Sequence, residues 1–150
     1  MIRRATSEDL PALREIFVEY GIWVHSIGGD LCLAGFLRET EGLPGPYTVI
    51  LVAVESDRLQ ACTALRPLDA GIAELKRLYV RPEARGSGIG RQLVEQAIQE
   101  ARSEGYQFLR LDTLPAMQSA ITLYRNLGFH EIPPYGNNPR DALCFELAIL

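Results

Sequence analysis

Residues 72–90 read Ile72-Ala73-Glu74-Leu75-Lys76-Arg77-Leu78-Tyr79-Val80-Arg81-Pro82-Glu83-Ala84-Arg85-Gly86-Ser87-Gly88-Ile89-Gly90. The first half carries β-branched and aromatic residues at its ends and stops at Pro82, which predicts a β-strand. Glycines then fall at the alternate positions 86, 88 and 90. A helical pattern follows at once, because Ile89, Leu93, Val94, Ala97, Ile98 and Ala101 form one apolar stripe. The unit is therefore strand, glycine turn, helix. Glycine lets the backbone approach a ligand closely, and the first turn of a helix has N–H groups without internal partners. With the positive end of the helix dipole, this geometry suits an anion, above all a phosphate.

Two familiar phosphate turns do not fit. A P-loop requires a glycine, four intervening residues and then Gly-Lys-Ser/Thr, and no such lysine follows Gly86. The dinucleotide fingerprint requires a glycine where this chain has Arg91. The spacing present is Arg85-Gly86-Ser87-Gly88-Ile89-Gly90, an Arg followed by glycines three and five residues later.

The chain's 150 residues are one domain's worth, read as a single domain over 1–150, and suffice to bury roughly 70% of the unfolded surface. A formal charge of −4 without a basic run argues against nucleic acid as a partner. The three cysteines, Cys32, Cys62 and Cys144, form no Cys-x-x-Cys pair. An odd count among apolar neighbours suits buried thiols in a reducing compartment. No signal-peptide core and no apolar run of membrane-spanning length is present, so the expectation is a soluble, cytoplasmic protein without a membrane partner. His/Cys spacing for a metal is lacking, and no metal is expected.

Along the chain, Ile2–Ala5 suits an opening strand. Thr6 and Ser7 offer caps for a helix with Leu10, Leu13, Ile16, Phe17 and Tyr20 on one face, which Gly21 is expected to interrupt. Asp30 can cap a second helix through Leu37, ended by Gly42–Pro46. Strands are expected at 47–55, 59–65 and from Ile72, joined by turns at 56–58 and 67–71 as an antiparallel meander. After the helix of about 88–103, Gly105 supplies a C-cap and 107–113 a further strand, whose crossover makes it parallel to the Glu74 strand. Pro115 begins a short helix closed by Gly128. Strands at 129–132 and 142–149 follow, with an irregular loop at 133–140 between them. The fold class is α/β, a mixed sheet with helices packed on it.

A second signature lies at Ala120-Ile121-Thr122-Leu123-Tyr124-Arg125-Asn126-Leu127-Gly128-Phe129: an Ala, then Leu-Tyr, then Gly-Phe. Together with Arg85–Gly90 and Leu78-Tyr79-Val80-Arg81-Pro82, it resembles the GNAT superfamily of acyl-CoA-dependent N-acyltransferases over essentially the whole chain. The resemblance implies a mostly antiparallel central sheet with helices on both faces, and one parallel strand pair that splays to hold acyl-CoA. It implies acetyl-CoA as cosubstrate, the backbone of Leu78, Tyr79 and Val80 beside the pantetheine, and the amides of Arg85, Gly86, Ser87, Gly88, Ile89 and Gly90 on the pyrophosphate. It also implies Tyr124 as the acid that protonates the departing thiolate, for which a phenol is chemically suited. The alternative for Tyr124 is a core tyrosine with one hydrogen bond. Glu74 is either the general base or an ion-pair partner of Lys76 or Arg110. Many members carry Asn where this chain has Met117, which cannot make the same hydrogen bonds.

Acceptor selection is expected from the first two helices and the loop before the last strand, which offer Trp23, His25, Asp30, Tyr135 and Asn138. Arg66 or Arg77 can grip an acceptor carboxylate, or belong with Lys76 to a solvated charged face. His25 reads as a second proton acceptor or as a plain polar residue. The function expected is acetyl transfer to a primary amine of a small molecule or peptide, by a monomer or homodimer. The alternatives are a non-catalytic acyl-CoA-binding regulatory module and, more distantly, a phosphoryl-transfer enzyme, for which Walker lysine and metal carboxylates are missing.

Overall fold

A meander of four antiparallel strands opens the sheet: β1 (Ile2–Arg4), β2 (Val49–Glu55), β3 (Arg58–Asp69) and β4 (Ile72–Val80). The computed structural model describes residues 1–29, 33–136, 138 and 141–150. The expected cap Asp30 and Cys32 lie outside these residues, as do parts of the 133–140 loop. The remaining strands are β5 (Phe108–Thr113), β6 (His130–Ile132) and β7 (Leu143–Ala148), and the order across the seven-stranded sheet is β1-β2-β3-β4-β5-β7-β6. Among the described residues, only β4 and β5 pair in parallel. The helix between them, α3 (Ile89–Ser103), crosses over one face, with α4 (Gln118–Asn126) beside it; α1 (Leu10–Ser26) and α2 (Leu33–Glu41) cover the other.

Strand alternation divides the core in two. Val49, Leu51, Ala73, Leu75, Leu109 and Leu111 pack under Leu93, Val94 and Ala97 of α3. Ile50, Val52, Cys62 and Ala64 meet Leu13, Ile16 and Phe17 of α1. Each such large buried side chain contributes about 1.5–3 kcal/mol against exposure.

Three boundaries differ from the sequence expectations. Gly21 does not interrupt α1, because Val24 extends the buried stripe of Leu13, Ile16 and Phe17 by another turn. That burial outweighs the roughly 1 kcal/mol cost of one helical glycine. Pro67 lies inside β3 instead of starting a turn. The β2 pairing ends at Leu65, so beyond it β3 has no neighbour on that side to miss a proline N–H. The helix after Pro115 begins only at Gln118, with Met117 at its N-cap. The hairpin turn at Ser56 and Asp57 has φ of 51° and 60°, the doubly positive pattern whose twist matches a two-residue hairpin.

One irregularity shapes β4. Cys62 faces Tyr79 while Ala64 faces Lys76, so β4 has one residue more than β3 at this point. The extra residue is Arg77, in the left-handed region at φ 59°. Before this bulge Ala73 and Leu75 face α3. After it Leu78 and Val80 do, while Tyr79 packs on the α1 face.

Candidate active site

Parallel pairing of β4 with β5 covers only Ile72 to Glu74 against Phe108 to Arg110. Beyond Glu74, β4 stays with β3 and β5 stays with β7, and the two strands part. A cavity of about 220 Å³ fills the split, walled by Lys76, Asp112, Met117, Tyr124, Tyr20 and Arg77. A second of about 420 Å³ runs on between Val80, Ile89, Leu123 and the 85–90 turn. Trp23, Leu78 and Ala120 border both, so the two form one groove.

At its far end the glycine turn is built by conformation. Gly86 and Gly88 have φ of 81° and 85°, and a Cβ at either would meet no atom within 4 Å. Their requirement is backbone handedness, not space. Gly90 has ordinary helical backbone, and a Cβ there would touch only Val80 and Leu123, at 3.6 and 3.9 Å. Ser87 Oγ donates to the Ala84 carbonyl at 2.6 Å, and Arg85 Nε to the Val80 carbonyl at 2.9 Å. The Arg85 guanidinium lies 5.4 Å from the Trp23 ring and 5.7 Å from the Tyr79 ring, a cation–π arrangement at the groove wall. The first helical bond of α3 comes from Gln92 N to Gly88 O, and among the described residues the amides of Ser87 to Arg91 have no acceptor.

At the near end Tyr124 is 5% exposed and packs on Phe129 and Phe145. Burial raises its phenol above the usual range, so it stays protonated. Among the described residues no protein group accepts its O–H, which borders the cavity.

Glu74 is 1% exposed and does not border the groove. The sequence offers Lys76 or Arg110 as its partners. The structure gives it Arg66, whose Nε donates to Oε1 at 2.7 Å, and Tyr135, whose hydroxyl donates to Oε2 at 2.6 Å. Burial and this bond to the carboxylate push the Tyr135 phenol well up. Lys76 Nζ stands 3.9 Å from Glu74 and 3.2 Å from Asp112 Oδ1, and Arg110 pairs instead with Glu146 at 2.7 Å. The Arg110 guanidinium also lies 5.3 Å from the Tyr135 ring. Arg66 and Tyr135 are thus brought to Glu74, and Trp23 to the groove. Arg77 goes elsewhere: its Nε and Nη2 reach Glu39 at 3.1 and 3.0 Å, and its Nε also reaches Tyr47. Asn138 donates to Cys144 Sγ at 3.0 Å, and His25 is exposed near the end of α1.

Asp112 and Tyr20 are the cavity residues that sequence reading passes over. The signal for Asp112 was period-2 alternation: Leu109 and Leu111 point into the core, so Arg110 and Asp112 share the opposite face.

The profile of the Acetyltransferase (GNAT) family matches residues 10–129. The chain belongs to the GNAT family. An uncharacterised N-acetyltransferase of Schizosaccharomyces pombe is 42% identical over 96 residues, 63% of this chain and 59% of that protein, so the chain spans under two thirds of that relative's length. An IAA acetyltransferase of Azospirillum brasilense is 37% identical over 118 residues, 77% of each chain. The PaiA N-acetyltransferase of Thermoplasma acidophilum, solved in complex with coenzyme A, superposes with a TM-score of 0.80 at 22% identity, covering 99% of this GNAT chain and 98% of that one. The mixed sheet with one parallel pair is the GNAT fold.

Proposed function

We propose that this GNAT protein moves an acetyl group from acetyl-CoA to a primary amine of a small molecule or peptide, by direct attack in a ternary complex. One observation carries this reading: a single groove joins a row of helix-start amides to a protonated phenol, both without a partner among the described residues. The residues fit coenzyme A. The amides of Ser87 to Arg91 suit its pyrophosphate, and the unpaired edge of β4 with Leu78, Val80 and Leu123 suits the pantetheine chain. That a T. acidophilum protein of this fold was solved with coenzyme A supports the choice.

The thioester supplies an acyl carbon open to nucleophiles. The amine nitrogen bonds to that carbon, the C–S bond breaks, and Tyr124 gives its proton to the sulfur. Because the phenol stays neutral, it arrives at this step with a proton to give. Arg66 and Tyr135 hold Glu74, and with Trp23 and Tyr20 they frame the side from which the acceptor enters. Arg77 borders the cavity but spends its charge on Glu39, and Arg66, paired with Glu74 beside the groove, is the other candidate cation for an acceptor carboxylate.

The test is acetyl-CoA-dependent thiol release across a panel of amines, with calorimetric titration of coenzyme A alongside. Turnover of one amine class is expected. Coenzyme A binding without turnover of any amine would leave the regulatory acyl-CoA-binding module in its place, and absence of coenzyme A binding would overturn the groove assignment itself.

A further inference from the structure

We propose that Asp112, not Glu74, is the carboxylate that takes the proton from the attacking amine; this rests on the acetyltransfer reading above. The two carboxylates sit two residues apart along the same face, on either side of the point where the strands part. Arg110 is directly opposite Glu74 in the last parallel pair. Asp112 lies one side-chain repeat further along β5, about 6.6 Å on, and so falls past the split. Lys76 stands in the same relation to Glu74 on β4, and its ammonium spans the gap to Asp112 at 3.2 Å.

The consequences for chemistry differ. Both Glu74 oxygens are taken, by Arg66 and by Tyr135, and the group is outside the groove wall. Asp112 borders the same cavity as Tyr124. Its Oδ1 receives Lys76, while its Oδ2 accepts no hydrogen bond among the described residues and keeps some accessible surface. An amine enters as an ammonium, and Asp112 is the carboxylate it meets there. The first proton passes from nitrogen to Asp112 and on to solvent. The freed nitrogen attacks the acyl carbon, and the second N–H proton replaces the one that Tyr124 gives to sulfur. One proton is released per turnover. Lys76 lies between Asp112 and Glu74, so its charge keeps a partner while Asp112 carries the proton. The groups facing Asp112 are Lys76 and Glu74 from β4, Cys144 opposite it on β7, Tyr20 from α1, Tyr124 from α4 and Tyr135 from the loop before β7.

The experiment compares wild type, Asp112→Asn and Glu74→Gln from pH 6 to pH 9, with the fastest of benzylamine, glycinamide, spermidine and Ala-Ala as acceptor. Coenzyme A affinity is measured by calorimetry for each. Asp112→Asn is expected to bind coenzyme A within twofold of wild type and to lower kcat about 10²-fold at neutral pH. That deficit narrows by up to tenfold per pH unit as solution supplies more free amine. Glu74→Gln keeps the shape of the wild-type pH profile. A merely structural Asp112 would give the same deficit at every pH, which would overturn the proposal. So would Asp112→Asn within threefold of wild type, or the narrowing deficit appearing in Glu74→Gln. If Asp112→Asn fails to bind coenzyme A, Asp112→Ser is read by the same criteria. Wild type that binds coenzyme A but acetylates no amine would overturn the acetyltransfer reading and the role of Asp112 together.

Discussion

Replacing Arg77 by Met should cost about 3–4 kcal/mol of stability while leaving acceptor preference unchanged. The guanidinium is 14% exposed and makes two charge-assisted bonds to Glu39, one to Tyr47, and a stack 4.8 Å from Phe36. A charged hydrogen bond is worth about 1.5–3 kcal/mol, and a half-desolvated cation–π contact about 1. Methionine keeps the stem's packing but strands the Glu39 carboxylate. That residue is 22% exposed, so water recovers part of the loss and holds the cost near the lower end of the range for breaking a buried pair. For a chain of this size the melting temperature falls by about 10 °C. Urea unfolding of R77M, E39Q and the double variant measures the coupling. Each single change should cost most of what both cost together, with an interaction energy of about 2–3 kcal/mol. Additivity within 0.5 kcal/mol would show the pair to be solvated and would reopen Arg77 as a contact for the acceptor's carboxylate.

Tyr124→Phe removes a hydroxyl without a protein partner among the described residues, so stability should shift by under about 0.5 kcal/mol while turnover drops about 10²-fold, read by melting and thiol release. Gly90→Ala adds a helix-favouring methyl with room in the free protein, so melting should rise by up to about 1 kcal/mol equivalent while coenzyme A affinity, by calorimetry, falls. Gly88→Ala, at φ 85°, should cost about 1–2 kcal/mol through strain alone, seen in urea unfolding. Asp9 is held down to about 2 by the Arg3 guanidinium, and its carboxylate also accepts the Thr6 amide at 2.7 Å. A depressed acid stabilises the fold above its unfolded value near pH 4 and loses that contribution as pH falls through about 2. Discounted for the exposure of Arg3, the effect is about 1 kcal/mol, so the melting gap between wild type and Asp9→Asn at pH 7 should close between pH 4 and pH 2.

The strand, glycine turn and α3 were legible because local rules alone determine them: Pro82 ends the strand, Gly86 and Gly88 take positive φ, and an apolar stripe starts at Ile89. The parallel β4–β5 pair followed from the crossover. The wider site was less legible, because its partners are set across the sheet. Nothing near Glu74 in sequence indicates that Tyr135, 61 residues later, closes over it. Arg77 looked equivalent to Arg66 because both lie on the central hairpin. The bulge separates them, sending Arg77 to α2 and leaving Arg66 at the open end of the sheet. Asp112 was visible as an alternating residue, but its access to the groove depends on where two strands part, and no spacing encodes that.

The extra residue at Arg77 acts as a change of phase in β4. Upstream, odd positions feed the α3 side; downstream, even ones do. A parity rule learned at Ala73 and Leu75 therefore reverses at Leu78 and Val80, whereas deleting residue 77 would restore plain alternation, keep Leu78, Tyr79 and Val80 on their present faces, and remove the local bend together with the Glu39 ion pair. Such a deletion would keep the apolar wall of the groove but straighten β4 where it leaves β5, although neither flanking segment had been altered. Segments exchanged into or out of this chain have to carry residues 76–80 as one unit, since the residue count across the bulge sets the register of all of them.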